Sequence, residues 1–156
     1  MTKPITIIVS QVDPRAPPTR ALIEELDRHL NRLYPAENNY LMDLDALCAP
    51  DARLFAAQVD GVTLGCGAIR QFSDYTEVKR MYVSPQARGL GLAMRLIEAL
   101  ETATRDAGLK LMRLETGIYQ PDALALFEKV GFTRTSSFGS YPKDGPYSVF
   151  MERKLP

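Results

Sequence analysis

The chain has 156 residues, with 19 basic side chains balanced by 19 acidic ones, 46% hydrophobic residues and 24% charged residues. That size and composition read as a single soluble domain over residues 1 to 156, large enough to bury a core. Net neutrality argues against a nucleic-acid binder or a polybasic membrane-surface protein, and no apolar run approaches the roughly 18 to 20 residues of a membrane span.

Ile5, Ile7 and Val9 recur every second residue, so residues 5 to 12 read as a strand. The run is too short for a signal-peptide core, and a reducing cytoplasm is the expected compartment. The breaker cluster at residues 13 to 18 ends the strand, and Pro17 and Pro18 suit a first helical turn. Leu22, Leu26, Leu30 and Leu33 then form an amphipathic stripe that Pro35 closes. Asn38 and Asn39 mark a loop, and residues 41 to 47 allow a short helix.

Residues 53 to 59 and 62 to 72 are strand-like runs joined by Asp60-Gly61, a hairpin signal. Residues 77 to 83 alternate again, with Glu77, Lys79, Met81 and Val83 expected on one face and Val78, Arg80 and Tyr82 on the other. A loop leads into a helix from about residue 89 to 107, with Leu92, Leu96, Leu100 and Ala103 as its stripe and Gly108 at its end. Residues 110 to 116 form the next strand. Pro121 opens a helix that Gly131 closes, and two more strands follow, the last near residues 147 to 154. Mixed runs of this kind imply an α/β or α+β sheet with helices on both faces.

The stretch from Val83 to Ala93, Val-Ser-Pro-Gln-Ala-Arg-Gly-Leu-Gly-Leu-Ala, is a strand end, a loop with two glycines and a helix start. Unpaired N–H groups at a helix start, the positive end of its dipole and glycine's close approach together make an anion cradle for a phosphate or pyrophosphate. Arg88 adds a charged donor. A nucleotide P-loop would need a Gly-Lys-Ser/Thr that is absent, and a dinucleotide fingerprint would need glycine where Met94 stands.

Gln86-x-x-Gly89-x-Gly91 after a strand resembles the acetyl-CoA pyrophosphate motif of the GNAT superfamily of N-acetyltransferases. Residues 123 to 132, Ala-Leu-Ala-Leu-Phe-Glu-Lys-Val-Gly-Phe, resemble the family's second cofactor helix with its terminal Gly-Phe, and Leu114 to Gly117 and the tail at residues 148 to 152 are similar to a bacterial small-acetyltransferase subgroup. The resemblance implies a mixed, mostly antiparallel sheet of about seven strands, splayed between the fourth and fifth, with acetyl-CoA as co-substrate in the cleft. It further implies backbone contacts to the pantetheine arm and acetyl group from Met81, Tyr82 and Val83. The pyrophosphate would be held by Gln86, Ala87, Arg88, Gly89, Leu90, Gly91 and Leu92. Gln120 stands where the family often has an asparagine on the arm.

The resemblance also implies direct acetyl transfer to a primary amine, with Glu77 as general base and Glu115 as the alternative. The usual tyrosine acid is replaced by Phe127, which is expected in the core or against the pantetheine; Tyr119, Tyr141 or water would protonate the thiolate instead. A small-molecule acceptor is expected, with a protein or peptide amine and a non-catalytic acyl-CoA-binding module as alternatives. No metal or nucleic acid is called for, and a homodimer through an edge formed by residues 147 to 150 is expected. Tyr34, Tyr40, Asp43 and Asp45 would form the acceptor wall, the aspartates either choosing a cationic amine or merely capping a helix. His29 and Cys66 read as structural, and Arg70 and Arg80 read as a water-exposed charged face, with contact to an acidic substrate as the alternative.

Overall fold

The computed structural model describes residues 3–156. In chain order its elements are β1 (Ile7–Gln11), α1 (Pro17–Leu33), α2 (Leu44–Leu47), β2 (Ala52–Val59), β3 (Val62–Gln71), β4 (Thr76–Val83), α3 (Leu92–Asp106), β5 (Leu111–Gly117), α4 (Pro121–Lys129), β6 (Thr133–Thr135) and β7 (Ser148–Lys154). α1 begins with its two prolines in the first turn and buries Leu22, Ile23 and Leu26. It stops where Tyr34 turns extended ahead of Pro35. Asp60 and Gly61 both take positive φ, 48° and 84°, the left-handed pair that a tight two-residue hairpin needs.

α3 starts at Leu92, three residues later than its apolar pattern implies. Gly89 and Gly91 sit at φ 85° and 77°, outside the right-handed helical region, so the loop before the helix is longer. Leu92, Leu96, Leu100 and Ala103 are all buried, as their spacing requires.

The sheet has seven strands in the order β1-β2-β3-β4-β5-β7-β6. Every neighbouring pair is antiparallel except β4 with β5, which is parallel. α3 and α4 cover one face, over Ile69, Val78, Met112, Leu114 and Met151. α1 and α2 cover the other, over Leu54, Cys66 and Ala68. Tyr75, Phe138 and Phe150 form a separate aromatic cluster beneath the long β6–β7 connection. Among the described residues no helix is long and apolar enough to cross a membrane.

Two readings are corrected here. Of the edge expected at residues 147 to 150, only Ser148 and Val149 of β7 pair with β5 alone; from Phe150 to Glu152 the strand lies between β5 and β6. The outer strands are β1 and β6. The alternation of β4 is also broken. Cys66 faces Tyr82 while Ala68 faces Lys79, so Arg80 and Met81 together oppose Gly67. This is a β-bulge, with Arg80 at φ 58°. The extra residue flips everything beyond it, so Met81 and Val83 pack towards α3 whereas Glu77 does not share their face.

Leu100 is fully buried between α3 and the sheet. Leu100→Ala should cost about 2–5 kcal/mol in urea unfolding, whereas the volume-conserving Leu100→Met should cost under about 1.5 kcal/mol.

Candidate active site

β4 and β5 pair only through Thr76–Met112, Glu77–Arg113 and Val78–Leu114. Beyond these they separate, and a cavity of about 370 Å³ opens between Val78 to Val83 on one side and Leu114 to Gly117 on the other. α1 closes it through Leu26, His29, Leu30 and Tyr34, and the start of α4 lines it from Gln120 to Ala123. The cleft expected between the fourth and fifth strands is therefore present.

The glycine loop follows β4, and of residues 86 to 92, Arg88 alone is on the cavity wall. A Cβ placed on Gly89 or Gly91 would meet nothing within 4 Å, so the space above both is open. Ala87 and Leu92 are buried and anchor the loop on α3's apolar side, with Leu90 packed beside them. Arg88 lines the cavity and pairs only at 3.9 Å with the exposed Asp122. Gln86 is exposed on a short 3-10 turn. The first N–H groups of α3 have no side-chain cap. This end can accept an anionic group from backbone donors and Arg88 together.

The middle of the cavity is walled by β4. Met81, Tyr82 and Val83 all line it, with Met81 and the unmatched backbone of the bulge at its centre. A Cβ on Gly67 would collide with the Met81 sulfur, so glycine there lets the bulged strand fold over β3.

The two glutamates are placed differently. Glu77 is buried and off the cavity wall. Its carboxylate accepts from the Tyr141 hydroxyl and stands 3.5 Å from Lys79 Nζ. Lys79 also donates to the Tyr40 carbonyl at 3.1 Å and to the Tyr141 oxygen at 2.8 Å. Burial and the adjacent Glu77 push the Tyr141 hydroxyl far above the usual tyrosine range. Glu115 lines the cavity, accepts from Ser148 Oγ at 2.7 Å, and is raised above the usual carboxylate range chiefly by burial.

Tyr34 organises the end of β5. Its hydroxyl donates to Gln120 Oε1 at 3.2 Å and accepts from the Tyr119 N–H at 3.1 Å. Gln120 Oε1 also accepts from the Gly117 N–H at 3.3 Å. The glutamine thus braces the turn into α4 while its side chain faces the cavity. Tyr119 is exposed at the mouth, stacked on Tyr34, with Tyr147 against both. Phe127 lies in the core edge-on to Phe132 and reaches the cavity's wall.

Of the expected acceptor wall, Tyr34 and Tyr40 line the cavity and the aspartates do not. Asp43 caps α2 by accepting from Ala46 N, and Asp45 pairs with Arg15 at 2.7 Å on the surface. Arg70 pairs with Asp51 outside the cavity. Arg80 departs from the water-exposed face expected of it: its side chain is only 4% exposed and is paired with Asp27 of α1. His29 lines the cavity, and burial, with Arg32 and Arg88 near, lowers its pKa. Cys66 is sealed in the core with its thiol pushed up to about 12 by burial.

Lys79 and Tyr147 line the cavity and went unsingled in the sequence. Lys79 carried a faint signal, being two residues from Glu77 and so on its face; Tyr147 carried none, because a loop of 12 residues precedes β7.

Residues 19–132 match the profile of the Acetyltransferase (GNAT) family. The chain is 50% identical over 136 residues to a protein of Azospirillum brasilense named IAA acetyltransferase, covering 86% of this chain and 88% of that one. It is similar to the structure of a candidate acyl-CoA N-acyltransferase from Klebsiella pneumoniae, with a TM-score of 0.83 and 34% identity over 96% of this chain and 97% of that one. A PaiA N-acetyltransferase from Thermoplasma acidophilum in complex with coenzyme A shares the fold, with a TM-score of 0.73 and 16% identity over 96% and 99% of the two chains.

Two outcomes follow from this geometry. A side chain at Gly117 would collide with the Tyr34 hydroxyl and ring, so Gly117→Ala should lower the melting temperature and acetyl-CoA affinity together, while removal of the ring by Tyr34→Ala in the same background should cost less than the sum of the two single changes. Glu115 binds its proton more tightly folded than unfolded, so its stabilising share is full below the unfolded pKa and is lost as pH rises through the raised folded value. The stability of Glu115→Gln relative to wild type should therefore increase from about pH 4 to about pH 7.5 in calorimetry; an unchanged difference would remove the burial effect.

Proposed function

The chain belongs to the GNAT acetyltransferase family and uses acetyl-CoA as its co-substrate; from that premise we propose that it moves the acetyl group directly onto the primary amine of a small molecule. The observation that carries this reading is the separation of β4 from β5 after Val78 and Leu114, which leaves strand backbone and the half-buried Glu115 carboxylate facing the same cavity. A small acceptor is supported by the cavity's walls of Tyr34, Tyr40, Tyr119 and Tyr147, and by the 50% identity to a relative named IAA acetyltransferase.

Gly89, Gly91, Arg88 and the start of α3 hold the pyrophosphate, and the pantetheine arm runs along Met81 to Val83 towards Gln120 and Phe127. The acceptor enters past the loop at residues 38 to 41. An ordinary alkylamine is protonated near neutral pH, with a pKa of about 10.4, so it must lose a proton before attack. Glu115 takes that proton, directly or through one water, because it is on the wall and its raised pKa brings it nearer the working pH. Glu77 holds Lys79 and Tyr141 in place beneath the acceptor.

The amine nitrogen then attacks the thioester carbon, and a backbone N–H of Met81 or Tyr82 donates to the carbonyl oxygen as negative charge develops. The nitrogen, cationic once the C–N bond forms, gives its second proton to water as the C–S bond breaks, and the thiolate, with a pKa near 8.5, takes a proton from water without a dedicated acid. Tyr119 is the candidate tyrosine at the mouth; the Tyr141 hydroxyl is engaged by Glu77. The sealed Cys66 favours direct transfer over an acetyl-enzyme.

Thiol release with acetyl-CoA should be seen with small arylalkyl and alkyl amines and not with lysine-bearing or N-terminal peptides; peptide-only turnover would move the acceptor to protein. Glu115→Gln should lower kcat by about 10²-fold with acetyl-CoA affinity kept. If Glu115→Gln costs less than about threefold while Glu77→Gln costs about 10²-fold, the base is Glu77.

A further inference from the structure

Arg80 occupies a backbone conformation, φ 58°, that favours glycine or asparagine. An arginine there needs a reason in its side chain. Its guanidinium is almost fully buried, yet it reaches two separate segments: it pairs with Asp27 of α1, and Nε donates to the Met42 carbonyl at 3.0 Å. Its own carbonyl accepts from Cys66 Sγ at 3.2 Å, so the residue is tied to β3 as well. These anchors converge on the point where β4 and β3 lose register, beside Met81 and Tyr82 on the cavity wall. The tethered segments are cavity walls too: Leu26 and Leu30 flank Asp27 on α1, and Tyr40 and Leu41 precede Met42.

We propose that Arg80, held by Asp27, is the positioning residue that fixes the β4 bulge so that a backbone N–H of Met81 or Tyr82 meets the thioester carbonyl. The side chain touches no reacting atom in this role; it sets the direction of the backbone donor and couples that donor to α1 and the 39–42 loop. A bulge needed only for strand geometry would be served better by glycine, which adopts this φ freely. The inference rests on the transferase reading, and its test separates the two.

The experiment is isotope-edited infrared spectroscopy of carbonyl-labelled acetyl-CoA bound to wild type, Arg80→Gly and Asp27→Asn, with affinity measured by calorimetry. The bound carbonyl stretch in wild type should lie below its value in free acetyl-CoA. In Arg80→Gly it should return towards the free value while affinity stays within about threefold, and kcat on the accepted amine should fall about tenfold or more at unchanged KM for acetyl-CoA. Asp27→Asn should give a smaller change of the same kind, and the double variant should be no worse than Arg80→Gly, because the pair acts as one unit. A carbonyl shift retained in Arg80→Gly, or absent in wild type, would overturn the proposal. If Arg80→Gly does not fold, a wild-type carbonyl shift in Asp27→Asn overturns it instead. Failure of acetyl-CoA to bind wild type at all would overturn the transferase reading and this inference with it.

Discussion

β4 and β5 pair in parallel over three positions and then diverge, which leaves backbone N–H and C=O groups of both strands without ladder partners. Buried backbone groups are seldom left unpaired, so such a gap inside a sheet persists only where something else can satisfy it. Here the gap is open to a cavity. The bulge adds twist to β4 at Arg80, and Tyr34 seats its hydroxyl over Gly117 at the far end of β5. Both features lie at the diverging ends of the strands, and the cavity walls of β4, β5 and α1 follow from that divergence.

Charge is distributed unevenly around the opening. Lys79 donates to the Tyr40 carbonyl and to Tyr141 and stands 3.5 Å from Glu77, and Tyr141 in turn donates to Glu77. That group of side chains satisfies itself and stiffens the floor of the acceptor side. Glu115 has only Ser148 as hydroxyl donor and faces the space. The two carboxylates thus sit in different surroundings, one on the cavity wall and one held behind it, a difference that environment alone creates. The cofactor end is the converse, with Arg88 and uncapped helix N–H groups facing outward.

Much of this was legible in the chain. Period-two and period-3.6 apolar patterns placed the strands and main helices, because burial of one face demands those spacings. Asp60-Gly61 and the prolines at 17, 18, 85 and 121 marked turns and helix starts through fixed backbone preferences. The glycine loop marked the anion end, since close backbone approach needs glycine wherever it occurs in a fold. The expected faces of β4 failed at one residue. An arginine at a left-handed position is invisible to periodicity, and one inserted residue reverses every side chain that follows. The aspartates at 43 and 45 left two readings open for a related reason, and the helix-capping one holds for Asp43: a carboxylate that caps a helix or pairs at the surface has the same letter as one that binds an amine.

Local rules act over a few residues, so the sequence by itself determined the order of elements, the apolar faces and the glycine loop ahead of α3. Which strands lie side by side was a separate matter. The placing of β7 between β5 and β6, the burial of Glu77 behind Tyr141 across 64 residues, and the pairing of Arg80 with Asp27 across 53 were decided only by the tertiary structure. These contacts join segments whose separation is set by how the two faces of the sheet are covered. The free energy of a charge depends on what surrounds it there, more than on its neighbours along the chain.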